Sequence, residues 1–144
     1  DVYKRQSQGD RWHDGFNLDC HVLHPDAVSI HGTDNDKSLV LRVTLAGRKL
    51  LLTGDVEGHV SRALADEAGH CDWLLAPHHG GEQSEAERWM KRTQPRWFCV
   101  SSKQSKPMAE LQKGRVQCWN TAEHGAISFH FRGEQAIVTT WLKP

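Results

Sequence analysis

Two stretches decide how this sequence reads: Leu50-Leu51-Leu52-Thr53-Gly54-Asp55, and Trp73-Leu74-Leu75-Ala76-Pro77-His78-His79-Gly80-Gly81. In the first, an apolar run ends in Gly-Asp, the pattern of a buried strand that delivers a carboxylate to the edge of a sheet. In the second, an apolar run ends in paired histidines followed by two glycines. Residues 57–68 lie between them, with Val60, Ala63, Leu64 and Ala68 at helical spacing and Gly69 as the stop. The unit is therefore strand, helix, strand, with both strands running the same way. Ligands of such units collect outside the carboxyl ends of the strands. Asp55, His78 and His79 then share one crevice, as oxygen and nitrogen donors of the kind that hold divalent metals. Metal-assisted hydrolysis is the chemistry this spacing suggests.

Outward from this unit, residues 38–45 read as a strand, Ala46-Gly47-Arg48 as a tight turn, and residues 49–53 as the second arm of a hairpin. Residues 16–24 form a short strand ending at Pro25, and residues 26–37, rich in Asp, Asn, Gly and Thr, form a loop. Beyond the histidines, residues 84–93 predict a helix with Ser84 as cap and Glu87 as its capping-box partner. Residues 96–100 follow Pro95 as a strand, and 107–113 predict a short helix with proline in its first turn. Residues 116–119, 126–131 and 135–142 finish the chain as three strands, with His124-Gly125 as a turn. A hairpin, then alternating helices and strands, then an antiparallel finish predict an α/β fold with a mixed sheet. No repeat, linker or low-complexity tract interrupts it, so residues 1–144 read as one unit.

Composition narrows the function classes. At 144 residues the chain can bury a two-layer core, and 38% apolar with 25% charged residues is the balance of a globular domain. No apolar run approaches the roughly 18–20 residues that span a bilayer, and no signal peptide is visible. The chain begins at Asp1 without an initiator methionine and stays polar and patternless to Asp10, so it reads as a fragment or a processed product. With 18 basic and 18 acidic residues, bulk charge does not favour a grip on long nucleic acid. The run Arg88, Lys91, Arg92, Arg96 reads as the solvated face of a helix. Cys20, Cys71, Cys99 and Cys118 include no C-x-x-C, which excludes a zinc ribbon. Cys71, Cys99 and Cys118 lie in or beside apolar runs, as small buried hydrophobes do. Of the ten histidines, His13, His59 and His70 fall in polar contexts and read as surface residues.

Asp55 has two readings, helix cap or metal ligand. A capping box would place Glu or Gln at position 58, which is Gly58, so the reciprocal signature is absent. Gly54 suits a sharp turn or close backbone approach at the sheet edge. His78 and His79 are held by Pro77, with Gly80-Gly81 keeping the approach open. The loop Asp34-Asn35-Asp36-Lys37-Ser38 ends where the strand beside that of Asp55 begins. Asn35, Asp36 and Ser38 could add oxygen ligands there or hold a phosphate-bearing substrate, and Asx-turn chemistry accounts for the same residues.

Taken in order, Leu23-His24-Pro25, Asp34-Asn35-Asp36-x-Ser38, Leu51-Leu52-Thr53-Gly54-Asp55-x-Glu57 and Pro77-His78-His79-Gly80 resemble the ComEC-type DNA-internalisation competence proteins. The likeness is to the C-terminal half of their metallo-β-lactamase-like domain, and it extends through residues 95–101 and Gly125-Ala126-Ile127. This resemblance implies part of an αββα sandwich with a metal site at one edge. Asp55 would bridge two metal ions, manganese or zinc, and His79 rather than His78 would be a terminal ligand. Asp55 and His79 would then serve the catalytic step. The implied activity is phosphodiester cleavage of the DNA strand that is not transported. The implied partners are incoming DNA and the membrane channel of the same parent protein, with this domain on the extracytoplasmic side of the cell membrane. Two departures stand out. The family's H-x-H-x-D-H motif and channel helices, which belong upstream, are absent, so residues 1–144 correspond to a partial domain. Residues 101–107, Ser-Ser-Lys-Gln-Ser-Lys-Pro, replace a loop in which relatives carry Asn and His-Pro.

Two other functions remain compatible with these residues. One is a catalytically incomplete DNA-handling or structural module, and the other a metallo-β-lactamase-type hydrolase of a small ester or phosphodiester.

Overall fold

The computed structural model describes residues 6–26, 32–104, 116–133 and 135–142. Among these, seven strands form one sheet in sequence order: β1 (Arg11–His13), β2 (Leu18–His24), β3 (Val40–Leu45), β4 (Arg48–Leu52), β5 (Trp73–Leu75), β6 (Trp97–Val100) and β7 (Gln117–Asn120). Neighbours are antiparallel from β1 to β4 and parallel from β4 to β7. The turn joining β3 to β4 has positive φ at both Ala46 (50°) and Gly47 (81°), the sense that matches the twist of a two-residue hairpin. Parallel neighbours need crossovers. These are made by α1 (Gly58–Glu67) between β4 and β5 and by α2 (Ala86–Thr93) between β5 and β6.

The parallel half is apolar on both faces, as strands covered on two sides must be. Leu51, Leu74 and Phe98 stand side by side in register and pack in one core with Leu64 and Ala65 of α1 and Trp89 and Met90 of α2. The opposite face carries Trp73, Trp97 and Trp119. Against it lies a separate hairpin of β8 (Ile127–Arg132) and β9 (Gln135–Thr140). Edge-on ring contacts join Trp73 to Phe129 at 5.9 Å and Trp97 to Phe131 at 5.5 Å. The layers are therefore helices, a mixed sheet, and a hairpin held by aromatic packing.

The two crossover helices are locked by a buried relay. Trp89 Nε1 donates to Ser61 Oγ at 2.8 Å, and Ser61 Oγ donates to the Ser84 carbonyl at 2.7 Å. The start of α2 differs from the sequence reading. Ser84 closes a preceding turn, Glu82–Ser84, and its amide donates to the Gly81 carbonyl at 3.0 Å, so no capping box with Glu87 forms, although its hydroxyl accepts from the Ala86 amide at 3.3 Å. The helix starts two residues later, behind Glu85 in the left-handed region.

Two elements are additional to those expected. β1 arises just after the patternless start, in residues 11–13 to which the sequence reading assigns no element, by pairing with β2. A short helix, α3 (Thr121–His124), stands where His124-Gly125 read as a turn, and Asn120 caps it by accepting from the Ala122 amide at 2.9 Å. β2 begins at Leu18 rather than residue 16 because Asp14 folds the preceding backbone, accepting from the amides of Phe16 and Leu18. The helix expected at 107–113 lies outside the described residues.

Cys20, Cys71 and Cys99 are buried and Cys118 partly so, all as free thiols. Burial pushes the Cys71 thiol up to about 11 and that of Cys99 to about 12.

Two tests follow from this packing. Ser61→Ala strands a buried indole N–H and a carbonyl, so urea titration should show a loss of about 2 kcal/mol or more. Because the folded thiols ionise later than unfolded ones, the stabilisation from Cys71 and Cys99 is complete below pH 9 and is lost as pH rises toward 11–12. Replacing both by alanine should therefore flatten the decline of thermal midpoint above pH 9, whatever it does at neutral pH.

Candidate functional site

Four parallel strands end at one edge, and each delivers a loop there. Asp55 follows β4, His78 and His79 follow β5, Ser101 to Gln104 follow β6, and Thr121 follows β7. The first two loops are stitched together. The Thr53 hydroxyl, fully buried, donates to the Leu75 carbonyl at 2.8 Å. One turn on, the His78 amide donates to the Gly54 carbonyl at 3.0 Å. Gly54 holds φ of +56°, and a Cβ there would lie 3.0 Å from the Leu39 carbonyl oxygen and 3.2 Å from the Ser38 Cβ. Only glycine fits between these neighbours, and Val56, with no exposure, anchors the far side of the turn. Asp55 is thus presented between two fixed points.

Asp55 does not cap α1. Glu57 occupies the cap position, and its side chain makes no capping bond. The helix therefore does not account for the Asp55 carboxylate, which is half exposed and faces His79. Asp55 Oδ1 lies 3.6 Å from His79 Nε2.

The histidine loop is strained. His78 (φ 43°) and His79 (φ 54°) both occupy the left-handed region, followed by Gly80 at +67°. For residues with a Cβ this costs on the order of 1–3 kcal/mol each, and such strain persists where the surroundings fix it, commonly at functional sites. The surroundings are visible here. His79 Nδ1 lies 2.8 Å from the Ser101 carbonyl oxygen, which can only accept, so Nδ1 carries the proton. In the neutral ring the lone pair is then on Nε2, toward Asp55. Backbone-carbonyl orientation of this kind prepares an imidazole for a metal.

The spacing of this one pair is compatible with two ligands of a shared ion. Two ligands on one metal, each at about 2.0–2.1 Å, lie about 3–3.5 Å apart, close to the observed 3.6 Å. Among the described residues, no group of three or more His, Cys, Asp or Glu side chains converges as a complete metal cage.

His78 takes a different direction. Its Nδ1 lies 2.7 Å from Glu57 Oε2, off the line of a hydrogen bond, so the contact is one of charge when the ring is protonated. Glu57 Oε1 accepts from Asn35 Nδ2 at 3.0 Å. Asn35, Glu57 and His78 form one connected set beside the Asp55–His79 pair. Ser38 contributes by packing on Gly54. Asp36 turns away: its carboxylate accepts from the Thr33 amide, and that bond, its largest influence, holds its pKa below the usual carboxylate value. Its carbonyl lies 2.6 Å from His24 Nε2, and the residue lines a separate cavity of about 350 Å³ with His24, His59 and Glu67.

Glu57, quoted above only as the end of the Asp55-x-Glu57 motif, and the Ser101 carbonyl join the site without having been named as site residues. The Asp55-x-Glu57 spacing was the signal for Glu57. A backbone carbonyl leaves none. The run Arg88, Lys91, Arg92, Arg96 is largely committed elsewhere: Arg88 and Arg92 both pair with Asp66, and Arg96 lies over the Trp97 ring at 4.7 Å.

No family model matches the chain. The chain is similar to ComE operon protein 3 of Bacillus subtilis (strain 168), with 26% identity over 125 residues. The match covers 80% of this chain and 16% of the relative, so the chain spans about a sixth of the length of the curated protein it matches. This similarity relates it to a competence-operon protein. Among the described residues, no helix is long and apolar enough to cross a membrane.

Because Gly80 alone closes the left-handed run without a Cβ, and a Cβ would press to 3.3 Å from Val100, Gly80→Ala should cost about 1–2 kcal/mol. Gly81, at φ −62°, should tolerate alanine better, a difference that thermal melts of the two variants will resolve.

Proposed function

We propose that this chain is part of a metallo-β-lactamase-like, metal-dependent phosphodiesterase of a DNA-uptake protein. It would act on the strand of incoming DNA that is not transported, beside the membrane channel of the same parent protein. The observation that carries the reading is the facing of Asp55 Oδ1 and His79 Nε2 at 3.6 Å, with the imidazole turned by the Ser101 carbonyl. The similarity to ComE operon protein 3 supports the biological setting. The helix, sheet and hairpin layers, with four loops at one edge, are compatible with part of an αββα sandwich.

In this reading Asp55 and His79 hold manganese or zinc, with a second ion in the complete site, and the remaining ligands come from residues outside this chain's visible cluster. When bound, such an ion supplies Lewis-acid polarisation of a phosphoryl oxygen and a more acidic bound water. The protein's part is positional. The Ser101 carbonyl fixes the His79 tautomer, the Gly54 turn aims Asp55, and the Glu57–Asn35 contact restrains His78 beside them. Ligands held in advance by strained backbone need no reordering when an ion arrives.

Asp55→Ala in the full-length protein is expected to abolish manganese-stimulated cleavage of DNA, with the circular dichroism melt unchanged within about 1 kcal/mol, since the side chain is half exposed and caps nothing. Undiminished cleavage by a folded variant would overturn the assignment.

A further inference from the structure

A cavity of about 460 Å³ opens directly beside His79, lined by His79, Ser101, Ser102, Lys103, Gln104 and Thr121. We propose that it is a phosphate subsite for the nucleotide next to the scissile bond, with Lys103 as the residue that sets its preference for an anionic strand. The proposal rests on the phosphodiesterase reading for the identity of its ligand.

The placement comes from topology. Ser101 to Gln104 leave the carboxyl end of β6 and Thr121 that of β7, the edge where Asp55 and His79 meet and where open α/β sheets bind ligands. The volume falls within the range of pockets that enclose a small ligand, and one nucleotide unit is of that scale. Because His79 Nδ1 donates to the Ser101 carbonyl, the wall of the cavity and the orientation of the candidate ligand are set by the same loop.

The chemistry of the lining favours an anion. Among the described residues its one formally charged side chain is that of Lys103, and no carboxylate lines it. Among the described residues Lys103 is in no ion pair, unlike Arg48, Arg62, Arg88 and Arg92. The Ser102 hydroxyl accepts from the Gln104 amide at 3.1 Å, which leaves its proton to donate. The loop is also preformed. The Ser102 amide donates to Thr121 Oγ1 at 2.9 Å, and Thr121 Oγ1 donates back to the Ser102 carbonyl at 3.0 Å. An ammonium and a hydroxyl on a loop pinned at both backbone groups suit a phosphate, because a charge-assisted bond gains most where little ordering remains to be done.

The test is equilibrium binding of a short fluorescent oligothymidylate to the full-length protein over a series of salt concentrations, which needs no turnover. Lys103→Ala should weaken binding about fivefold or more at low salt and reduce the slope of log K against log salt by about 0.7, the signature of one lost phosphate contact on a single strand. Lys103→Arg should keep the wild-type slope, and so should Lys91→Ala on α2. An unchanged slope in a folded Lys103→Ala variant overturns the subsite, as does an equal drop in Lys91→Ala. The two readings separate cleanly. If Asp55→Ala still cleaves DNA while Lys103→Ala loses the contact, the catalytic assignment fails and the subsite stands. If Asp55→Ala is inactive and the Lys103→Ala slope is that of wild type, the reverse holds.

Discussion

A single main-chain hydrogen bond, from the His78 amide to the Gly54 carbonyl, ties the two loops that make this molecule chemically interesting. It can form only because Gly54 turns with positive φ inside a space already filled by Ser38 and Leu39. Beside it His78 and His79 occupy left-handed backbone, and the imidazole of His79 reaches the Ser101 carbonyl on one side and the Asp55 carboxylate on the other. These contacts hold the strained backbone of the histidines and place their side chains before any ligand arrives.

The rest of the fold supplies the rigidity that this placement needs. Parallel β4 to β7 are covered on one face by α1 and α2 and on the other by the β8–β9 hairpin. The aromatic row Trp73, Trp97, Trp119 is therefore enclosed between sheet and hairpin rather than exposed. Ser61, hydrogen-bonded to both Trp89 and Ser84, fixes the two crossover helices to each other. The loops at the carboxyl edge can then differ in sequence without loosening the frame, which is the physical basis for grafting chemistry onto such sheets. The segment from Ser101 to Gln104, where this chain departs from the loop its resemblance would suggest, shows that freedom: its backbone still orients His79 while its side chains line a cavity of their own.

Much of this was legible in the chain itself. The run Leu50-Leu51-Leu52 followed by Thr53-Gly54-Asp55 announced a buried strand ending in a carboxylate, because strand periodicity and a glycine at the edge are local properties. The hairpin at Ala46-Gly47, the crossover helix behind Asp55 and the strand leading to the histidines were readable for the same reason. A local signal misled at Ser84, which carries a capping-box signature, yet its amide is taken by the Gly81 carbonyl and the helix begins two residues later behind left-handed Glu85. β1 had no pattern of its own because its existence depends on pairing with β2.

The sequence by itself determined which side chains arrive at the edge of the sheet, since alternation, helical spacing and turn residues act over a few positions of chain. Only the tertiary structure decided how they divide. His79 is turned to Asp55 while His78 goes to Glu57, and Asn35 joins the second pair while Asp36 folds back on Thr33. Those choices depend on distances between loops that lie more than twenty residues apart in the chain for Glu57 and His78 and for His79 and Ser101. They are set by the register of parallel strands and by a backbone carbonyl that has no letter in the sequence.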